Sequence, residues 1–338
     1  MLATWRTILA GAALLAFAAS PGCQSEAAAR ADEDSLRVLV WNVLHGANDV
    51  DRGPEKALAV IRAARADLVL MQESYDVDGP RPTLGRWLAT QLGWTAHQGE
   101  SPHLCVLTRH RIEAELFHHP WHGVGARVRD ARGRAFVAYS IWIDYRAFLG
   151  YELRDRPQIS DEELLLAESE RSGRLPQTLA LLGHLRTAGL LEADTPLLVG
   201  GDWNTPSHLD WTADTARVYR FRRALDLPVS RAVHREGFVD VFREVHPNAV
   251  MRPGITWSPM FRNRRDGKQQ TFARIDRLYL KNPPAASGPW SLSPVDARVL
   301  PELWEDEAVP ARERVFPSDH GAVLLSLRWE HRADTKKK

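Results

Sequence analysis

The chain has 338 residues, 44% of them hydrophobic and 26% charged, with 12 Trp and only two Cys. That is enough apolar content for a substantial core, and the cysteine count excludes a disulfide scaffold. A formal net charge of +1 supplies no strong global field to attract nucleic acid, so a polyanion is not a favoured partner.

At the N-terminus one charge, Arg6, precedes an apolar run from Thr7 to Ser20, followed by Pro21-Gly22-Cys23. The run is too short to span a membrane and has the layout of a secretory signal over residues 1–22. Export is expected, to the periplasm or beyond. A Cys preceded by Gly just after such a run is similar to the lipid-attachment site of bacterial lipoproteins. That would make Cys23 a membrane anchor; the alternative is cleavage after Ala27-Ala28-Ala29. Residues 23–35, small and charged, suit a tether. Cys105, within His-Leu-Cys-Val-Leu, reads as a buried structural thiol in a strand.

Leu36–Asn42 reads as a buried strand ending in a polar residue and a Gly46-containing loop. Pro54 suits the first turn of a helix to about Arg65, with Ala57, Val60, Ile61 and Ala64 along one face. Asp67–Glu73 is a second buried strand, and the short crossover implies a parallel pair. A helix over about 84–92 follows. Segments 103–108, 112–118, 124–129 and 135–144 are rich in β-formers, with a hairpin turn at Asp130–Gly133. A helical stretch over 161–190 is expected to break near Gly173 and Pro176. Thr195–Asn204 is another buried strand ending in polar residues. Helices are expected over 208–227 and 237–245, and strands near 273–281, 294–300 and 320–328. No repeat or long linker interrupts 36–330, so one α/β domain is the economical reading, with a short basic tail at 331–338.

Several of these strands end in a polar cluster: Asn42, Gln72-Glu73, Asp202-Trp-Asn204 and Arg274-Ile-Asp276. Ser318-Asp-His320 opens the last strand. Each alone has an ordinary explanation as a turn former, a cap or a surface pair. Their joint occurrence at strand ends, where ligand sites of α/β folds collect, outweighs those explanations.

Trp41-Asn42, Met71-Gln-Glu73, Gly200-Gly-Asp-Trp-Asn204, Arg274-Ile-Asp-Arg-Leu-Tyr279 and Pro317-Ser-Asp-His320 together resemble the ordered motifs of the endonuclease/exonuclease/phosphatase superfamily. The resemblance runs from about Leu36 to Trp329, and it extends to exported bacterial members. It implies a four-layer α/β sandwich, two packed mixed β-sheets flanked by helices, and a Mg²⁺-dependent phosphoesterase, with Mn²⁺ able to substitute. Glu73 would then ligate the metal, with Asn42 and Asp319 beside it. Asp202 would orient and deprotonate water, Asn204 would bond a phosphoryl oxygen, and His320 as imidazolium would stabilise the pentacovalent phosphate. Asp276 would orient His320. Arg174, in Arg174-x-x-Gln177, matches a further pattern and could bind phosphate.

The sequence departs from that pattern at Ser140-Ile-Trp-Ile-Asp144. Trp142 stands where many members carry a phosphate-contacting His. Tyr145 or Tyr151 could substitute, or one of His118, His119 or His122, or catalysis could be slow or lost. His97, His103, His184 and His234 read as ordinary core or surface residues. The basic loop Arg262–Lys268 could touch a phosphate-rich substrate. The substrate is a phosphate ester, with nuclease, sphingomyelinase-like phospholipase, small-molecule phosphodiesterase and phosphomonoesterase all open, as is a non-catalytic binding protein. A monomer is expected.

Overall fold

The computed structural model describes residues 34–76, 81–258, 260, 267–284 and 286–332. The expected signal segment, Cys23, most of the 262–268 loop and the tail beyond Arg332 lie outside the described residues.

Strand β1 (Ser35–Asn42) shows how the layers form. Its side chains alternate, and both faces are apolar: Leu36, Val38 and Val40 join one core cluster, Leu39 and Trp41 another. A strand buried on both faces must lie between two layers. On one side Val38 and Val40 meet Ala138, Leu198 and Leu278 of a second sheet. On the other, Leu39 and Trp41 pack with Ala57, Leu58 and Ile61 of helix α1 (Gly53–Ala64) and Leu84 and Leu88 of α2 (Leu84–Leu92).

The first sheet has the order β11-β12-β1-β2-β4-β3, the second β5-β6-β7-β8-β10-β9. Here β2 is Leu68–Gln72, β3 Thr95–His97, β4 Cys105–Thr108, β5 Arg111–His119, β6 Gly123–Arg129 and β7 Ala135–Trp142. Strand β8 is Leu197–Asp202, β9 Val239–Asp240, β10 Asp276–Lys281, β11 Trp290–Leu300 and β12 Ala322–His331. The pairs β1/β2 and β7/β8 are parallel, as the crossover lengths imply. Helices α3 (Leu149–Asp155), α4 (Asp161–Ser169), α5 (Arg174–Thr187), α6 (Ala213–Val218), α7 (Pro228–Arg235) and α8 (Val241–Val245) complete the chain. The outer face of the second sheet (Val137, Tyr139, Ile141, Val199) packs on Leu181, Leu182 and Leu185 of α5 and Val229 and Val233 of α7. The result is helix, sheet, sheet, helix: the expected four-layer sandwich of mixed sheets.

Three local expectations differ. Residues 208–227 do not form one helix. Thr212 caps α6 through a capping box with Thr215, and Pro228 starts α7, where its missing N–H costs nothing. Between 237 and 245 a two-residue strand pairs with β10 before Asp240 caps α8. Gly173 breaks the 161–190 stretch, but Pro176 sits within the first turn of α5 and does not interrupt it. Strand β3 and helix α3 are too short to leave a periodic signal.

Candidate active site

Strands β1, β2, β8 and β10 bring their polar ends to one place. The register pairs Asn42 with Gln72 and Asp202 with Asp276. The two sheets approach closely here because of Gly200: a Cβ there would fall 2.7 Å from Leu70, 2.8 Å from Leu278 and 2.9 Å from Val40. Beneath the site Ser140 ties the sheets together, donating to the Met71 carbonyl at 2.8 Å and accepting from Gln72 Nε2 at 2.9 Å.

Glu73 follows β2 directly and Asn204 lies two residues beyond β8, and both adopt left-handed backbone conformations (φ 57° and 49°). Such conformations cost a non-glycine residue about 1–3 kcal/mol and persist where the surroundings over-determine them. Those surroundings are visible. Glu73 accepts from Asn42 Nδ2 (3.0 Å), the His45 amide (3.1 Å) and the Tyr75 hydroxyl (3.2 Å). Asn204 donates from its amide to Asp202 Oδ1 (2.8 Å) and from Nδ2 to the Ile143 carbonyl (2.8 Å). Asn42 also donates to Asp202 Oδ2 at 3.1 Å, so one amide group holds two carboxylates from different sheets.

His320 is held from three directions. Its amide donates to Ser318 Oγ at 3.0 Å, and Ser318 Oγ donates to the Asn42 carbonyl at 2.7 Å. Trp41 Nε1 donates to the His320 carbonyl at 3.2 Å. Its ring Nδ1 donates to Asp276 Oδ2 at 3.0 Å, and Nε2 faces both Asp202 Oδ2 and Asp319 Oδ1 at 3.9 Å. Thr256 Oγ1 accepts from the amides of Ile275 and Asp276, fixing the Asp276 turn.

Burial dominates the electrostatics. It would pull His320 down, but the carboxylates of Asp276, Asp202 and Asp319 outweigh it and hold the imidazole protonated well above its usual range. Burial pushes Asp202 up to about 7, against the attraction of His320 and with the repulsion of Asp276. Asp319 likewise rises to about 7, from burial opposed by His320 and reinforced by Glu73. Burial also acts upward on Glu73, yet its hydrogen bonds from Asn42 and His45 bring it below the usual value. An imidazolium thus lies beside a carboxylate tuned to neutral pH, a pairing suited to general acid–base work.

These groups open on a cavity of about 410 Å³, where Glu73, Asp202, Asn204, Asp319 and His320 line one side together with His45, whose ring is bonded to Asp49. Asn42 and Asp276 stand behind it, as positioners of Glu73, Asp202 and His320. Tyr145 and Tyr151 both line the cavity. Arg174 does not: it is fully buried, and its guanidinium donates to the main-chain carbonyls of Asp144, Arg146, Ala147 and Ala167. With Gln177 accepting from the Asp144 amide at 2.8 Å, it braces the loop after β7, which corrects its assignment as a phosphate ligand. His118, His119 and His122 are absent from the lining, whereas Trp142 is part of it and only half-buried. Arg274 of the Arg-Ile-Asp motif is structural too, bonded to Asp210 and Asp240 in a buried network.

Sequence reasoning missed His103, Tyr75, Trp121, Phe148 and Trp257, all of which line the cavity. His103, read as ordinary core or surface, had one available signal. The antiparallel β2/β4 register pairs Met71 with Cys105, so continuing it sets His103 across from Glu73. The Ser74 amide donates to the His103 carbonyl at 2.9 Å, consistent with that placement.

A metal could be held in either of two groupings. Asp202, Asp276 and His320 lie close enough to share an ion, but His320 Nδ1 is already committed to Asp276. Glu73 and Asp319 offer hard oxygens free of that bond, and Asp319 Oδ1 is buried without a hydrogen-bond partner among the described residues.

Residues 39–320 match the model of the Endonuclease/Exonuclease/phosphatase family. An uncharacterized protein of Caenorhabditis elegans is 27% identical over 301 residues, covering 86% of this chain and 90% of that protein. Among solved structures, zebrafish (D. rerio) TDP2 complexed with a single-strand DNA product superposes with a TM-score of 0.52 at 14% identity, covering 87% of this chain and 99% of that one. TDP2 from C. elegans gives 0.52 at 16% identity (92% and 82% covered), and the human Nocturnin catalytic domain 0.50 at 16% (88% and 95%). These likenesses establish the fold; the family match spans most of the chain and every motif of the site. The chain belongs to the endonuclease/exonuclease/phosphatase family, hydrolases of phosphate esters.

Proposed function

We propose that the protein hydrolyses a phosphodiester outside the cytoplasm, with Mg²⁺ or Mn²⁺, by in-line attack of water. The observation that carries this reading is the arrangement around His320: Nδ1 bonded to Asp276, Nε2 facing Asp202 and Asp319, all buried at one cavity with Glu73. The donor set fits a hard divalent cation. Burial and neighbouring carboxylates raise the proton affinity of Asp202 and Asp319, Asp319 carries an oxygen unpartnered among the described residues, and Mg²⁺ favours one or two carboxylates with retained waters. Glu73 and Asp319 would hold it, with Asn42 fixing Glu73. Bound there, the ion would neutralise charge on phosphoryl oxygens.

The chain's own residues supply the rest. Asp202 takes a proton from water, helped by burial that keeps it near neutral pH. His320 stays protonated through Asp276 and donates to the developing phosphoryl charge. Asn204 spends one amide hydrogen on the Ile143 carbonyl and has a second for a phosphoryl oxygen. Export rests on residues 1–22 and would be seen as a mature N-terminus at or beyond Cys23.

The test is Mg²⁺-dependent turnover of bis-p-nitrophenyl phosphate. Asp202→Ala should lower it by about a thousandfold or more; equal rates for wild type and variant would end the enzymatic reading.

A further inference from the structure

Phosphate chemistry accounts for the polar lining of the cavity and leaves the remainder unexplained. That remainder is largely aromatic. The His103 ring stacks on Tyr75 at 5.6 Å and lies 5.0 Å from both Trp121 and Trp142, and Trp142 reaches Tyr145 at 6.0 Å. These five rings form one continuous wall. Trp257 adds a ring 4.7 Å from His320, and its Nε1 donates to the Tyr151 hydroxyl at 3.2 Å. Two members of the wall meet solvent: Trp121 is 45% exposed and Tyr145 63%. Among the described residues no Lys or Arg side chain lines the cavity.

We propose that this wall is a subsite for a flat, uncharged ring carried by the ester, so that the substrate is a small aryl or nucleoside phosphate ester. The inference rests on the phosphoesterase reading and narrows it. A polymer backbone would present successive phosphates, and among the described residues no Lys or Arg lines the cavity to meet those beyond the one that His320 faces. A quaternary ammonium head group would suit aromatic faces alone, but here it would share the cavity with the His320 imidazolium and a divalent cation. A sugar or polyol would need hydrogen-bond partners that ring faces do not supply. A flat ring stacks on them at no such cost. His103 fits the same scheme. It is 2% exposed, neither ring nitrogen is hydrogen-bonded among the described residues, and it packs among Tyr75, Trp121 and Trp142 as one more ring face. The cavity volume suits one small ligand.

Trp142 thus has a role of its own. It stands where a phosphate-contacting His is expected, and the wall exchanges that contact for recognition of the group beyond the phosphate.

The test measures binding, so it does not depend on turnover. The full Mg²⁺-loaded protein is titrated calorimetrically with methyl-, cyclohexyl- and phenylphosphonate, the 5′-phosphonate analogue of thymidine, and 2-(trimethylammonio)ethylphosphonate. At least one of the phenyl and thymidine compounds should bind about tenfold or more tighter than methyl- and cyclohexylphosphonate. Which of the two binds better separates an aryl ester from a nucleoside ester. Trp142→Leu, which keeps apolar volume without a ring face, and Trp121→Ala, which truncates an exposed side chain, should each shrink that advantage several-fold. Equal binding of phenyl- and cyclohexylphosphonate, preference for the trimethylammonio compound, or no binding at all would overturn the subsite. Ring-selective binding without Asp202-dependent turnover would overturn the hydrolase reading alone.

Discussion

The two parts of the cavity lining are built by opposite means. In the polar part hydrogen bonds fix the groups assigned to the chemistry: Glu73 by three donors, Asp202 by the Asn204 amide and the Asn42 side chain, His320 by Asp276 and Ser318, while Asp319 keeps one oxygen unpartnered among the described residues. In the aromatic part the rings are held mainly by each other, and His103 is packed among three of them with no hydrogen bond to its nitrogens among the described residues. Charge explains the contrast. Buried carboxylates and an imidazolium are tolerable only when paired and bonded, which demands fixed geometry. Ring faces impose no such demand, so their positions can follow whatever shape the substrate requires.

The largest test of that contrast removes a positioner from the polar part. Asp276→Asn leaves the His320 ring a hydrogen-bond partner but takes away the first of the carboxylates that raise its proton affinity. Turnover should fall by about a hundred- to a thousandfold. The sign of the pH effect follows. Activity requires protonated His320, wild type keeps the proton to well above the ordinary range, and the variant should lose activity at a lower pH as pH rises. A pH–rate profile with an unmoved alkaline limb would show that Asp276 is not what holds the imidazolium.

Next in size is Glu73→Gln. The amide keeps the shape but lacks the hard anionic oxygen, so the Mg²⁺ concentration for half-maximal activity should rise about a hundredfold. At saturating metal the turnover number should recover much of its value. Loss of turnover with unchanged metal dependence would move the ion to the grouping of Asp202, Asp276 and His320.

The same contrast explains what could be read from the sequence. The polar part was legible because its residues sit at the ends of buried strands, where periodicity stops and a motif begins: Asn42 at the end of β1, Glu73 just after β2, Asp202 at the end of β8. The α/β class was legible for the same reason, since strands such as Val38–Trp41 are apolar on both faces, whereas the four-layer arrangement came from the family resemblance of the motifs. Trp142 was identifiable as a departure but not as a wall, because its partners come from the approach to β4 (His103), the β5/β6 turn (Trp121) and the loop after β7 (Tyr145). Aromatic residues at such positions ordinarily read as packing. Arg174 failed in the other direction. A charged residue in a family pattern suggested phosphate, and only three dimensions reveal that its guanidinium serves four carbonyls. The helical stretch expected over 208–227 shrinks to α6, because Thr212 caps its start and Tyr219 leaves it in an extended conformation.

His103 gives the smallest and most direct probe of the aromatic part. Its folded-state proton affinity lies below the ordinary histidine value, driven down to about 4 by burial and only partly restored by Glu73. The unfolded chain therefore binds the proton more readily over the window from about 6.5 down to about 4, and protonation there favours unfolding. The stability His103 permits is present in full above that window and is lost as pH falls through it. His103→Phe keeps an aromatic ring in the wall while removing both unpartnered nitrogens and the titration. Measured by denaturant unfolding without added metal, the variant should equal or exceed wild type at pH 7. Between pH 7 and pH 4 it should lose on the order of 2 kcal/mol less than wild type. Parallel pH–stability curves would mean that His103 becomes charged in the folded protein without cost, and a wall that tolerates a cation at its centre would no longer favour an uncharged ring.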